Sequence, residues 1–67
     1  MIELRINGEA RHFAKAPTVS DILADLQLTG KRVAVERNGA IVPKSLHAET
    51  RCAAGDAIEI VVAVGGG

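Results

Sequence analysis

The chain has few of the residues that carry chemistry. It has no Trp or Tyr, a single Phe (Phe13) and a single Cys (Cys52), and eight Lys and Arg cancel eight Asp and Glu. Without a set of aromatic rings there is no platform for stacking bases. Without surplus cations there is no electrostatic footprint for displacing the counterions of a nucleic acid. One cysteine cannot form an internal disulfide, nor can it hold zinc or an iron–sulfur cluster alone. Long apolar runs are missing too. The longest, residues 57–64, is interrupted by Glu59 and is too short to span a bilayer. The start, Met1-Ile2-Glu3-Leu4-Arg5, lacks the basic and apolar stretches of a signal peptide. These absences place the chain in the cytoplasm, with no nucleic-acid or membrane partner. Its 67 residues allow one small domain, whose core supplies only about 3–5 kcal/mol. That leaves little to hold a strained active site. The expectation is a carrier or binding module, not an enzyme, with no catalytic residue, metal or bound cofactor.

What is present is a regular alternation of elements. Ile2, Leu4 and Ile6 alternate with Glu3 and Arg5, the period of a half-buried strand. Asn7-Gly8 then signals a tight hairpin into a weaker strand, Glu9 to Phe13, with Ala10 and Phe13 as its apolar positions. After Pro17, Thr18 and Asp21 stand at capping-box spacing. Val19, Ile22, Leu23 and Leu26 form one helical stripe, which predicts a helix from about Val19 to Gln27, ended by Thr29-Gly30. A third strand is expected over Arg32 to Glu36. Asn38-Gly39 repeats the hairpin signal, a short strand Ala40 to Val42 stops at Pro43, and Lys44 to Arg51 reads as loop or a turn of helix. Gly55-Asp56 is a turn. The most apolar strand, Ala57 to about Val62, has Ile58 and Ile60 facing in and Glu59 and Val61 facing out.

One helix covers one face of one sheet, and the most apolar strand belongs at the centre of that sheet, paired with the first. The order of elements therefore predicts an α+β, ubiquitin-like β-grasp: a mixed sheet of four to five strands under a single helix, the other face left open. Residues 1–64 form the domain and residues 65–67 a flexible glycine tail.

The tail carries the chemistry expected of the chain. Gly65, Gly66 and Gly67 follow the most rigid strand with no polar spacer, and the terminal carboxylate is carried on a glycine. Lacking Cβ, glycine passes a narrow slot and lets the backbone approach a nucleotide closely. Three extended residues reach roughly 10 Å. A carboxylate must be activated before a sulfur nucleophile can attack it. The chain has no phosphate-binding loop for ATP, so an adenylating partner is required.

The whole chain resembles the ThiS family of sulfur carriers of thiamine biosynthesis. The matching stretches include Ile6-Asn7-Gly8-Glu9, Thr18-Val19-Ser20-Asp21-Ile22-Leu23, Val33-Ala34-Val35-Glu36-Arg37-Asn38-Gly39, Gly55-Asp56-Ala57-Ile58-Glu59-Ile60-Val61 and Ala63-Val64-Gly65-Gly66-Gly67. The resemblance implies that a ThiF-like adenylyltransferase uses ATP to adenylate the Gly67 carboxylate. A persulfide, supplied through a cysteine desulfurase or another donor, then replaces AMP to leave a thiocarboxylate. A ThiG-like thiazole synthase takes the sulfur. Val64, Gly65 and Gly66 are then the segment that enters partner active sites. Val61, Val62, Ala63, Arg5 and Arg32, with Ala34, are the candidate partner surface. Two alternatives share the fold: a molybdopterin-synthase small-subunit-like carrier, and a ubiquitin-like modifier or interaction domain.

The remaining candidates read as structural. Cys52 is expected to be a small buried hydrophobe. His12 and His47, with no carboxylate at ligand spacing, are expected to have surface or packing roles. Lys31, Arg32, Arg37, Lys44 and Arg51 outnumber Glu36 and Glu49 between positions 31 and 51. They read either as a solvated surface or as a basic flank that steers docking onto an acidic face.

Overall fold

The alternation of residues 2–6 places Leu4 and Ile6 in the core and Glu3 and Arg5 in solvent. In the computed structural model, which describes residues 1–63, this segment is β1 (Ile2–Ile6), followed by β2 (Glu9–Phe13), α1 (Val19–Asp25), β3 (Val33–Arg37), β4 (Ala40–Ile41), a 3-10 turn (Lys44–Leu46) and β5 (Ala57–Val62). The five strands form one sheet in the order β2-β1-β5-β3-β4. β5 runs parallel to β1 and antiparallel to β3, and both hairpins are antiparallel. The last and most apolar strand thus lies at the centre, as expected. No helix among the described residues is long and apolar enough to cross a membrane.

Alone, a seven-residue helix is unstable in water, so α1 owes its existence to packing and caps. Val19, Ile22 and Leu23 are buried against Leu4, Ile6, Val35, Ile58 and Ile60 of the sheet, and each such side chain contributes about 1.5–3 kcal/mol on burial. At the N-terminus the Asp21 N–H donates to Thr18 Oγ1 (3.0 Å) and the Thr18 N–H donates to Asp21 Oδ2 (2.9 Å), completing the expected capping box. The C-terminus departs from expectation. The helix stops at Asp25 rather than Gln27, and Gln27 itself adopts φ 60°. The Gln27 N–H reaches Ala24 O (3.0 Å), and the Leu28 N–H reaches Leu23 O (2.7 Å), the bond pattern of a Schellman cap. Leu28 is drawn back onto the core, and that contact sets the stop ahead of Gly30.

Smaller differences concern the strands. β3 is shifted by one residue and runs to Arg37, because Arg37 pairs with both Ile58 and Ala40. β4 ends at Ile41. Val42 leaves the ladder but buries its side chain, and its N–H donates to Val35 O (2.8 Å). In β2 only Phe13 packs on the core; Ala10 lies opposite Arg5 on the open face.

Candidate functional site

The candidate site is the end of β5, where the chain leaves the sheet. Its rigidity comes from two asparagines that the sequence offers only as turn residues. Asn7 and Asn38 both take φ 52° ahead of a glycine, as a type I′ turn requires. Each also turns its side-chain amide onto β5. Asn38 Oδ1 accepts from the Ala57 N–H (2.9 Å) at the start of the strand. Asn7 Oδ1 accepts from the Ile60 N–H (2.7 Å), and Asn7 Nδ2 donates to Ile60 O (3.1 Å). The β1–β5 ladder pairs only Arg5 with Ala57 and Ile6 with Ile58, so the Asn7 side chain acts as a further strand residue and extends it. Beyond Val62, the Ala63 N–H still donates to Arg32 O (2.8 Å). The backbone is therefore hydrogen-bonded up to the last described residue.

This predicts that Asn7→Gly, which keeps the left-handed turn accessible but removes both bonds, costs about 1–3 kcal/mol. The Ile60 amide should lose protection from hydrogen exchange ahead of the other core amides. Unchanged exchange at Ile60 would show that the amide clamp contributes nothing.

At the start of β5, Asp56 is buried and accepts from Arg37 Nε (2.7 Å), Asn38 Nδ2 (3.0 Å) and the Ala53 N–H (2.8 Å). Burial alone raises its pKa. The hydrogen bonds from Ala53, Asn38 and Arg37, with the Arg37 charge, outweigh that and hold the carboxyl below its usual range. The sequence signal for this hub was slight: an acidic residue directly before the most apolar strand.

The candidate partner surface divides. Val61 pairs with Ala34 on the open face and is 64% exposed. Arg5 shares that face but stands opposite Ala57, four residues upstream, and its Nη1 donates to Gly8 O (3.1 Å). Glu59 and Glu36 are directly opposed between them. Val62 does not belong with Val61. Strand alternation turns it to the helix side beside Val33, so the expected single patch of Val61, Val62 and Ala63 is corrected to two faces. Ala63 and Arg32 are exposed at the exit itself. Val64, Gly65, Gly66 and Gly67 lie outside the described residues, so the expected boundary between a 1–64 domain and a 65–67 tail falls there as well.

The other candidates are accounted for by local contacts. Cys52 is 2% exposed, and burial, with the nearby Asp56 charge, pushes its thiol up, the behaviour of an unreactive core cysteine. His47 is buried with Nε2 3.0 Å from Val42 O, a packing position. His12 has a carboxylate partner that sequence spacing did not suggest: across the β1–β2 pair its Nε2 lies 3.0 Å from Glu3 Oε1. No group of three or more His, Cys, Asp or Glu among the described residues could hold a metal ion.

A sheet with one open face, its central last strand held by side-chain amides and ending at an exit beside exposed Val61, defines a ubiquitin-like β-grasp protein. A model of the ThiS family matches residues 4–67. The sulfur carrier protein ThiS of Bacillus subtilis is 43% identical over 65 residues, covering 96% of this chain and 98% of that protein. The crystal structure of the thiamine biosynthesis protein ThiS from Geobacter metallireducens superposes with a TM-score of 0.83 at 29% identity, covering 98% of this chain and all of that one. A thiazole synthase of Paramagnetospirillum magneticum is 47% identical over 66 residues, and the chain spans 20% of its length. The chain belongs to the ThiS family, whose members are small sulfur carriers of thiamine biosynthesis and not catalysts.

Proposed function

We propose that the carboxylate of Gly67 is the group that carries the sulfur. One carboxylate oxygen attacks the α-phosphorus of ATP on a ThiF-like adenylyltransferase; pyrophosphate leaves and an acyl-adenylate forms. The terminal sulfur of a persulfide, supplied by a cysteine desulfurase or another donor, attacks the acyl carbon and displaces AMP. A thiol then cleaves the resulting sulfur–sulfur bond and frees the thiocarboxylate, whose sulfur passes to a ThiG-like thiazole synthase. The chain binds no cofactor of its own, ATP being the partner's substrate, and the sequence is of cytoplasmic character. Val64, Gly65 and Gly66 serve as the narrow segment that reaches into both partner sites.

The observation that carries this reading is the last strand. It is central, paired on both sides and clamped by Asn7 and Asn38, so whatever follows Ala63 starts from a fixed point beside the open face. Two of the relatives are thiazole synthases, which favours thiazole over molybdopterin as the destination of the sulfur. The gene should restore growth without added thiazole to a bacterial strain lacking its own carrier. Restored molybdoenzyme activity with a continued need for thiazole would contradict the proposal.

Val61, exposed beside Ala34, is the apolar contact a partner would cover. Val61→Glu is expected to weaken binding to the adenylyltransferase or the thiazole synthase by about tenfold or more and to leave the circular dichroism spectrum unchanged. Undiminished binding to both enzymes would remove the open face from the account.

A further inference from the structure

On the side of the sheet opposite Val61 lies a cleft of about 260 Å³ that adjoins the exit at Arg32. Leu23 from α1, Leu28 from the Schellman cap and Val33 from β3 give it an apolar floor, with the buried His47 and half-buried Ser20 lining it beside them. Its rim carries Lys31, Arg32 and Lys44, and no acidic residue lines it. Among the described residues no acidic side chain pairs with this charge. Among the described residues the ion pairs are Arg11–Asp25, His12–Glu3 and Arg37–Asp56, and Arg51 donates to Ala16 O (2.6 Å). The basic stretch seen in the sequence thus separates in the fold. Arg37 and Arg51 are committed to structure, whereas Lys31, Arg32 and Lys44 are exposed around one apolar cleft. Val62, 41% exposed and paired with Val33, continues the apolar surface next to it.

We propose that this cleft is a second docking site, for an acidic peptide segment of a partner protein that places an aliphatic side chain on the floor and carboxylates against the rim. Charge complementarity selects the occupant. A neutral apolar segment leaves three cations desolvated without compensation, and a basic one is repelled. The apolar side chains argue against a simple anion, which has nothing to offer Leu23, Leu28 and Val33. Because Val61 and Ala34 face the other way, a segment seated here leaves the open face free and meets the exit at Arg32.

The test is a nuclear magnetic resonance titration of the full chain with an end-blocked peptide of alternating Leu and Glu. The Leu and Lys counterpart and inorganic phosphate are titrated separately. The acidic peptide is expected to give saturable shifts at Leu28, Lys31, Arg32, Val33 and Lys44 and none at Ala34 or Val61. The double variant Lys31→Glu, Lys44→Glu should bind about tenfold more weakly or worse; both positions are exposed, and unchanged spectral dispersion elsewhere verifies its fold. Equal response to the Lys peptide, shifts centred on the open face, or phosphate binding at the same residues as tightly as the peptide would each overturn the proposal.

Discussion

Deletion of Gly67 is expected to abolish sulfur loading while leaving the domain folded. A shortened chain still ends in a glycine carboxylate, so the loss comes from reach. One residue spans about 3.3–3.6 Å, and acyl transfer needs the reacting atoms about 3–3.5 Å apart, with misplacement by about 1 Å costing up to about 100-fold. The start of the segment cannot move forward to compensate, because the Ala63 N–H is bonded to Arg32 O and Ile60 is clamped by Asn7. Among the described residues the buried core ends at Ile60, so the domain is expected to stay folded. Intact mass after incubation with adenylyltransferase, ATP and a persulfide source reads the first outcome, and thermal unfolding reads the second. Loading at a rate near that of the full chain would show that position, and with it the fixed exit, is unimportant.

Asp56→Ala is expected to remove a large share of the domain's stability. It strips the acceptor from Arg37, Asn38 and the Ala53 N–H together, at a cost of about 2–4 kcal/mol. A domain of this size has about 3–5 kcal/mol in all, so a large fraction of the variant should be unfolded at 37 °C. Asp56→Asn keeps one acceptor oxygen and should lose less. The pH dependence follows from the sign of the shift. The Asp56 carboxyl is held below its ordinary value of 3.8, so its contribution is complete above that value and fades as pH falls through the lower, folded one. Asp21 acts in the same direction, chiefly through the hydrogen bond from the Thr18 backbone. Denaturant titrations of the native chain should show stability falling as pH drops below about 4, with a shallower fall in Asp56→Asn. An equally steep acid limb in that variant would remove Asp56 from the account.

β1, β3 and β5 were legible because their inward apolar positions recur every second residue, whereas β2 offered only Ala10 and Phe13, of which Phe13 alone reaches the core; the helix start was legible because Thr18 and Asp21 can satisfy each other's backbone N–H. The helix end was not, since the left-handed residue is Gln27, and its conformation is imposed by Leu28 returning to the core. The separation of Val61 from Val62 was available in the strand alternation itself and needed only the exit to be located. The second role of Asn7 was hidden: its partner, Ile60, is 53 positions away, and the same residue already explains itself as a hairpin turn. Asp56 was concealed likewise by Gly55-Asp56 reading as a turn. In both cases one side chain serves local and distant needs at once, and only the register of β5 brings the distant partner into range.

The most direct test of the central claim is the intact mass of the full chain after reaction with a ThiF-like adenylyltransferase, ATP and a persulfide source. The account predicts a product in which one oxygen is replaced by sulfur, with tandem mass spectrometry placing the exchange on Gly67 and the product losing that sulfur to thiazole synthase. An unchanged mass in a system that loads another ThiS protein, or a sulfur found at Cys52 instead, would contradict it.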